Sequence, residues 1–266
     1  MSYRVSGVID DAERAGRLTF TTEDIARALA GLSPKALQQA LFRQKRRGRV
    51  TRVARGVGQW LIVPLMHAAS GAPPLETWLH HFLSTVLKEP YYVGLLSAAD
   101  AYGVSPYAIT VTQVVVRHQR RPINVGRQHI VFHTRSNITN LPTRWHETPD
   151  GRFRISTPEL TMLDLLRRQD IVGGLSRVVE VINELAAHAT ADGLAAALEA
   201  AADVPNAQRL GTLLTHCGNT LSETIVEWLD DGPLRKIALA PRMLGPVQED
   251  KTFRTLRPSR LQGSNT

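Results

Sequence analysis

Residues 33–47 read SPKALQQALFRQKRR, and residues 48–63 continue with GRVTRVARGVGQWLIV. Ser33 offers a hydroxyl at a helix start, and Pro34 follows at the first helical position, where a missing N–H costs nothing. Apolar residues then recur at helical spacing along one face of this segment. The stretch therefore predicts a helix to about residue 45, with long polar side chains on its other face.

The residues after this helix predict a β-hairpin. Residues 48–55 alternate in polarity, residues 56–58 (Gly-Val-Gly) form a turn, and residues 59–63 return as a second strand. A hairpin directly after a helix of this kind is a wing, and arginines near its tip are able to contact phosphates or enter a minor groove. Trp60 is predicted to anchor the core rather than to stack on a base.

Two shorter helices are predicted before this segment. Apolar residues recur at helical spacing from Val8 until Gly16 stops the pattern. Thr21 and Asp24 then have the spacing of a reciprocal helix cap, so a second helix is predicted from Thr22 to about Leu29. Together these elements predict a winged helix-turn-helix domain over residues 1–66.

The positive charge of the chain is concentrated in this predicted domain. Residues 1–65 contain 12 Arg or Lys and 5 Asp or Glu, whereas residues 66–266 contain 20 and 19. A local excess of positive charge attracts a polyanion, and DNA is the most common one that a protein meets. We therefore expect double-stranded DNA as a partner, with a winged helix used for protein contact as the alternative.

The expected DNA contacts fall into two groups. Arginine and glutamine form paired hydrogen bonds with base edges in the major groove, and arginine or lysine also neutralises phosphates. The residues expected in the major groove are Lys35, Gln38, Gln39, Arg43 and Arg46. The residues expected to hold the DNA backbone are Arg47, Arg49, Arg52 and Arg55.

The rest of the chain predicts a larger α+β domain. Residues 67–75 are small and proline-bearing and are predicted to be a linker, residues 76–232 form the domain, and residues 233–266 form an irregular tail. Helical patterns are followed by strands, which predict a mostly antiparallel sheet flanked by helices. The predicted strands are 109–116, 128–133, 143–148 and 152–155. The predicted helices are 78–87, 93–102, 157–168, 175–188, 192–202, 206–217 and 221–230.

No catalytic constellation emerges from this domain, so we expect no enzyme, no cofactor and no metal. His129 and His133 share a strand face, but two ligands without a third bind metals poorly. Glu159 and Asp164 suggest capping and surface roles rather than a nuclease pair, and adjacent His80 and His81 are predicted to lie on the surface. Two arginine pairs, 120–121 and 167–168, are candidate contact points or solvated corners.

Composition and cysteine content indicate the cellular compartment in which we expect the protein. Apolar residues make up 43% of the chain and charged residues 21%, which is typical of a globular protein. The single cysteine, Cys217, has no partner for an intramolecular disulfide, and no apolar run is long enough to span a bilayer. The start of the sequence lacks the apolar core of a signal peptide, so a cytoplasmic protein without a membrane partner is expected.

Two stretches resemble a known family. Residues 91–103 read YYVGLLSAADAYG and precede the predicted strand at 109–116, and residues 153–166 read FRISTPELTMLDLL. Both are similar to recurrent segments of the AbiEi-type antitoxins of type IV toxin–antitoxin systems. With the winged helix before them, the resemblance covers roughly residues 5 to 230.

The resemblance implies a bacterial antitoxin encoded beside a nucleotidyltransferase-like toxin. Such antitoxins repress their own operon by binding inverted repeats through the amino-terminal domain, and the carboxy-terminal domain counteracts the toxin. The operator sequence, direct contact with the toxin, the oligomeric state (including a monomer off DNA) and the role of the tail stay open at this stage. Two other functions also stay open: a nuclease directed to DNA by the winged helix, and a module that binds a protein.

Overall fold

The computed structural model describes residues 4–53, 58–104, 109–230, 232–240 and 246–259. The amino-terminal region contains three helices and three short strands, in the order expected of a winged helix. These elements are α1 (Val5–Arg14), β1 (Thr19–Thr21), α2 (Thr22–Ala28), α3 (Pro34–Arg46), β2 (Val50–Arg52) and β3 (Gln59–Ile62).

Both predicted helix caps are present. The Thr21 hydroxyl accepts a hydrogen bond from the Asp24 backbone N–H at 3.1 Å, and the Asp24 carboxylate accepts one from the Thr21 N–H at 2.8 Å. The Ser33 hydroxyl accepts from the Ala36 N–H at 3.3 Å, directly before Pro34. The predicted starts of α2 and α3 are thus confirmed.

The first sheet has the strand order β1-β3-β2, and β3 pairs antiparallel with both neighbours. Trp60 on β3 is buried, and its indole N–H donates to the Thr22 hydroxyl at 3.1 Å. Its prediction as a core anchor is confirmed.

Helices and strands share one apolar core: Val5, Ile9, Phe20, Ile25, Leu29, Leu37, Leu41, Val50, Trp60 and Ile62. Residues 54–57, and with them the expected DNA contact Arg55, lie outside the described residues.

A second, six-stranded sheet has the order β6-β7-β5-β4-β9-β8. Its strands, with the helix that follows the first of them, are β4 (Tyr91–Val93), α4 (Leu95–Ala101), β5 (Thr112–Val116), β6 (Ile123–Val125), β7 (Gln128–Thr134), β8 (Thr143–Thr148) and β9 (Gly151–Ser156). Strands β4 and β6 were not predicted. Each is three residues long, which is too short for polarity alternation to reveal it.

The sheet is mixed, which corrects the expectation of a mostly antiparallel one. Strand β5 pairs parallel with β7, and β4 pairs parallel with β9, while β6 and β7 pair antiparallel. Polarity alternates with a period of two residues in either kind of pairing, so the sequence pattern does not distinguish them. The α+β class itself is confirmed.

The remaining helices lie close to their predicted positions. They are α5 (Pro158–Arg167), α6 (Leu175–Leu185), α7 (Ala191–Ala201), α8 (Val204–His216) and α9 (Leu221–Leu229). Helix α5 packs against α6, α7 and α8 and is buried from Pro158 to Leu166.

The chain divides by its contacts into two compact units. The first comprises the described residues of 1–91, 110–136 and 145–154, and the second those of 92–109, 137–144 and 155–266. Residues 67–75, expected to be a linker, lie inside the first unit. Ala72 and Leu75 are buried there, and the Gln128 side chain donates to the Pro73 carbonyl at 2.6 Å. Small and proline-rich residues here form packed turns.

The predicted tail also differs from the expectation, because its described part forms a third sheet. Its strands are β10 (Ile237–Ala238), β11 (Val247–Asp250) and β12 (Thr255–Pro258) in the order β10-β12-β11. Phe253 is buried against Gly211 of α8, where a Cβ atom would collide with its ring. The Gln208 side chain donates to the carbonyls of Phe253 at 2.6 Å and Arg235 at 2.9 Å. This sheet completes the core around α8.

The adjacent histidines are half-buried, which corrects their assignment to the surface. His80 contacts the Tyr91 hydroxyl through Nδ1 at 3.1 Å, and His81 contacts the Thr19 hydroxyl. Burial lowers the pKa of both imidazoles from the ordinary value. The segment around them is a π-helical turn, His81–Val86, in place of the regular helix that was predicted.

Candidate nucleic-acid interface

Helix α3 and strand β2 bring five of the expected DNA-binding residues together. They line one surface depression of about 590 Å³, which we call the α3 depression. The five are Lys35, Gln38, Gln39, Arg43 and Arg52. Leu37 and Leu41, on the opposite face of α3, pack into the core. The polar face is therefore turned outward. The arrangement offers both long cations and side-chain amides to one ligand.

The cations of the α3 depression are not neutralised by acidic side chains. All acidic residues of the winged helix lie on α1 and α2. Two of them pair with arginines outside the depression, Asp11 with Arg14 at 2.8 Å and Asp24 with Arg27 at 3.7 Å. Within the described ranges, Lys35, Arg43, Lys45 and Arg52 have no ion-pair partner. Their charge is therefore available to a polyanion.

Trp60 fixes the position of the one wing arginine in the depression. The Arg52 guanidinium lies 5.0 Å from the centre of the Trp60 ring, opposite it on the neighbouring strand. A cation over an aromatic face is attracted by the ring and loses part of its freedom. Arg52 is thus held at the edge of α3 without losing its charge.

Arg49 is placed differently from the expectation. Its guanidinium donates to Asp10 at 2.7 Å and to Glu13 at 2.9 Å, both on α1. The hydrogen bond to Asp10 is the main reason that the pKa of Arg49 is raised. Since two carboxylates already use this cation, we assign Arg49 to the packing of α1 against the wing and omit it from the candidate interface.

The other expected residues are less closely grouped. Arg46 and Arg47 are exposed at the carboxyl end of α3 but do not line the α3 depression. Arg55 lies among the residues that are not described. Three residues that line the depression were not among the expected DNA contacts: Phe42, Lys45 and Trp60. Phe42 is 58% exposed. Its helical spacing places it on the polar face of α3, and this spacing could have identified it from the sequence.

The carboxylates that could have served a nuclease are structural. Glu159 and Asp164 are 4% and 3% exposed, which corrects their expected surface roles. Glu159 accepts a hydrogen bond from the Thr190 N–H at 2.9 Å, and Asp164 accepts one from the Tyr92 hydroxyl at 2.7 Å. Both carboxyl groups are therefore hydrogen-bonded within the fold, as buried polar groups generally are, and neither is exposed at the surface.

The histidine pair on β7 does not extend into a metal site. His129 pairs with Asn124 of the neighbouring strand β6, and the two side chains are in contact. Within the parts of the chain that the structure describes, no group of three or more His, Cys, Asp or Glu side chains is arranged to hold a metal ion. These histidines therefore give no support to metal-dependent chemistry.

Residues 92–216 match the family model described as the AbiEi antitoxin C-terminal domain. The match begins within β4, contains α4 and α5, and extends to the end of α8. This part of the chain is similar to the AbiEi antitoxin C-terminal domain, and the predicted resemblance is confirmed. The domain supports an antitoxin role for the protein.

The fold as a whole is similar to a solved structure. The crystal structure of RV2827C protein from Mycobacterium tuberculosis superimposes with a TM-score of 0.63 at 14% sequence identity. The similarity covers 96% of this chain and 93% of the other, so the two share a fold from the winged helix onward. No curated protein matches the chain significantly. None of the helices in the described ranges is long and apolar enough to cross a bilayer.

Proposed function

We propose that the protein is a cytoplasmic antitoxin that binds the operator DNA of its own toxin–antitoxin operon through α3 and the wing. The α3 depression is the observation that carries this proposal. It combines unpaired cations with Gln38 and Gln39, and DNA needs both: cations for phosphates and amides for base edges. The contacts to inverted repeats would be made by Lys35, Gln38, Gln39, Arg43, Lys45 and Arg52, with Arg46 and Arg47 on the flanking phosphates.

The second half of the proposal concerns the toxin. The AbiEi domain at residues 92–216 supports the action of this chain against a nucleotidyltransferase-like toxin encoded beside it. Co-expression of the two genes tests this: growth that the toxin arrests should resume when the antitoxin is present. Growth that stays arrested would reject this half and leave the DNA-binding half untouched.

A charge reversal on α3 tests DNA binding. Titration of a duplex from the protein's own promoter should show that Arg43→Glu weakens binding at least about tenfold, since a lost base or phosphate contact costs about 1–3 kcal/mol. The control is Arg14→Glu, which makes the same change of charge on α1 at an exposed side chain. It should change the affinity less than about twofold, because it lies outside the α3 depression.

A second variant separates sequence choice from overall affinity. Gln39→Ala should weaken binding to the operator more than binding to a scrambled duplex, since an amide reads bases whereas an arginine also holds phosphates. Equal weakening of both duplexes would remove Gln39 from base recognition. Equal effects of Arg43→Glu and Arg14→Glu would reject the α3 depression as the DNA interface.

Nuclease activity has little support beside this proposal. It would require acidic groups that face a ligand, and both carboxylates that the sequence suggested are buried and hydrogen-bonded. The protein is therefore expected to bind promoter DNA without cleaving it when magnesium is added.

A further inference from the structure

A second cavity lies within the first unit, between the wing and the β6–β7 hairpin. It has a volume of about 890 Å³, which is within the range of about 300–1,000 Å³ that is typical of small-molecule sites. We call it the β3–β6 cleft. Gln59 of β3 and Ile123 and Asn124 of β6 are among the residues that line it. Of its lining residues, the proposed function uses only Lys45 and Arg52.

Four cations line the β3–β6 cleft: Lys45, Arg52, Arg120 and Arg121. Arg120 shares its charge with Glu89, whose carboxylate accepts from its Nη2 at 2.7 Å. In the described part of the chain, Lys45, Arg52 and Arg121 have no ion-pair partner. The cleft therefore has an excess of positive charge and favours a ligand with several negative oxygens.

The floor of the cleft is apolar. Its apolar lining includes Phe82, Leu87, Ile123 and Phe132, and the rings of Phe82 and Phe132 are buried. Cations around an apolar floor suit a ligand that has a charged end and an uncharged planar end. Leu87 is the only one of the four that is partly exposed, and it offers the apolar surface that a planar end would cover.

Two buried polar atoms of the cleft have no hydrogen-bond partner. One is Oε1 of Gln59, a residue that is only 4% exposed, and the other is Nε of Arg120. Buried polar groups are nearly always hydrogen-bonded, so an orphaned pair in one cavity needs an explanation. Both atoms are covered, so the two side chains must turn toward the cleft to meet a ligand. Because Oε1 accepts and Nε–H donates, a ligand that then satisfies both carries an N–H donor and an acceptor oxygen or nitrogen.

We propose that the β3–β6 cleft binds a nucleoside polyphosphate. The phosphates meet the charge of Lys45, Arg52 and Arg121, the base covers the apolar floor, and an N–H of the base donates to Gln59. Nucleobases provide such N–H donors and acceptors on a flat apolar ring. Inorganic phosphate and tripolyphosphate lack the planar ring and its N–H donors.

The position of Lys45 and Arg52 gives the ligand a regulatory role, and this part rests on the proposed function. Both residues also line the α3 depression. A polyphosphate that forms ion pairs with Lys45 and Arg52 in the cleft leaves these two cations unable to bind DNA phosphates. The two ligands should therefore compete. The bound nucleotide thus weakens operator binding.

Binding is tested on the full chain without DNA. Calorimetric titration with ATP, tripolyphosphate and adenosine separates the contributions of the base and the phosphates. ATP should bind about tenfold more tightly than tripolyphosphate, since an added hydrogen bond and buried ring are together worth about that factor. Tripolyphosphate that binds as tightly as ATP, or ATP that does not bind, would overturn the proposal.

Matched variants locate the site. Arg121→Glu should weaken ATP binding at least about tenfold, as expected for loss of a charge-assisted contact and introduction of repulsion. Arg127→Glu is the control: it makes the same change at an exposed residue of the same hairpin that does not line the cleft, and ATP affinity should change less than about twofold. Equal effects of the two variants would overturn the proposed location.

Gln59→Leu tests the base contact with little change in volume. It should weaken ATP binding about fivefold and leave tripolyphosphate binding unchanged, because only the base loses a hydrogen-bond partner. An unchanged ATP affinity would contradict the role of Gln59. Gln59 does not line the α3 depression, so operator binding by this variant reports on the proposed function separately.

Competition is measured by operator titration with and without saturating ATP. Wild-type protein should bind the operator at least about threefold more weakly with ATP, and Arg121→Glu should lose this response. An operator affinity that ATP leaves unchanged would reject the regulatory role. Operator binding that is absent under all conditions would reject the proposed function, while ATP binding would still stand.

Discussion

Helices α3 and α5 begin with the same two signals, a hydroxyl residue followed by proline at the first helical position. Ser33 accepts a hydrogen bond from the Ala36 N–H at 3.3 Å, and Thr157 accepts one from the Leu160 N–H at 3.4 Å. In α3 only Leu37, Leu41 and Gln44 are buried. In α5 burial continues without a break from Pro158 to Leu166. A shared start therefore says nothing about what a helix will face.

The charged groups of the two helices differ in the same way. Both carboxylates of α5, Glu159 and Asp164, are buried and accept hydrogen bonds from their own unit. The cations Lys35 and Arg43 of α3 are exposed and, among the described residues, without an ion-pair partner. A buried charge needs a hydrogen-bond or ion-pair partner within the fold. An exposed charge does not, so it can still form these contacts with a ligand. This difference separates structural from functional polar groups in this protein.

Truncation of one apolar side chain on each helix should show the largest contrast. Leu165→Ala on α5 should lower the free energy of unfolding by about 3 kcal/mol, since it leaves a cavity around a fully buried position. Phe42→Ala on α3 should lower it by less than about 0.5 kcal/mol, because the ring is mostly exposed. Urea denaturation of both variants measures this, and similar costs would invalidate the comparison.

Removal of a carboxyl group from α5 should have the next largest effect. Asp164→Ala should cost about 2 kcal/mol of stability, because the buried Tyr92 hydroxyl loses an acceptor. Tyr92→Phe removes the donor and should cost about 1 kcal/mol. The double variant should cost less than the sum of the two, since either single change already breaks this hydrogen bond. Strictly additive denaturation free energies would show that this hydrogen bond contributes nothing of its own.

The smallest expected effects compare two arginines of the wing. Arg49→Ala should lower the stability by about 0.5–1 kcal/mol, because its ion pairs with α1 are partly exposed and screened. It should leave the salt dependence of operator binding nearly unchanged. Arg52→Ala should reduce the slope of log affinity against log salt by about 1, as expected for one lost phosphate contact. A reversed pattern would return Arg49 to the interface and remove Arg52 from it.

Local signals in the sequence were sufficient for most elements of the fold. The caps at Thr21, Ser33 and Thr157 are formed by hydrogen bonds within four residues, so the chain specifies them without distant contacts. The polar face of α3 follows from helical periodicity in the same way. The strands β4 and β6 were missed because three residues carry no period, and the parallel pairing of β5 with β7 depends on partners remote in sequence.

The candidate site was predicted in outline and refined by packing. Lys35, Gln38, Gln39 and Arg43 came from helical spacing, and the structure places them around one depression with Arg52. The fate of Arg49 could not be foreseen, because Asp10 and Glu13 are 39 and 36 residues away along the chain. The same holds for Gln59 and Arg120, whose buried, unpartnered atoms exist only once two distant segments form a cleft.

The amino-acid sequence by itself determined the helix starts, the polar face of α3, the basic amino-terminal region and the two segments that resemble the AbiEi family. These properties depend on neighbours within a few turns, and short-range hydrogen bonds and side-chain periodicity encode them directly. Tertiary structure alone decided which charges are paired, which carboxylates are buried and how the strands of the mixed sheet are ordered. Those outcomes depend on which remote groups share a low-dielectric interior, and that is fixed only when the whole chain packs.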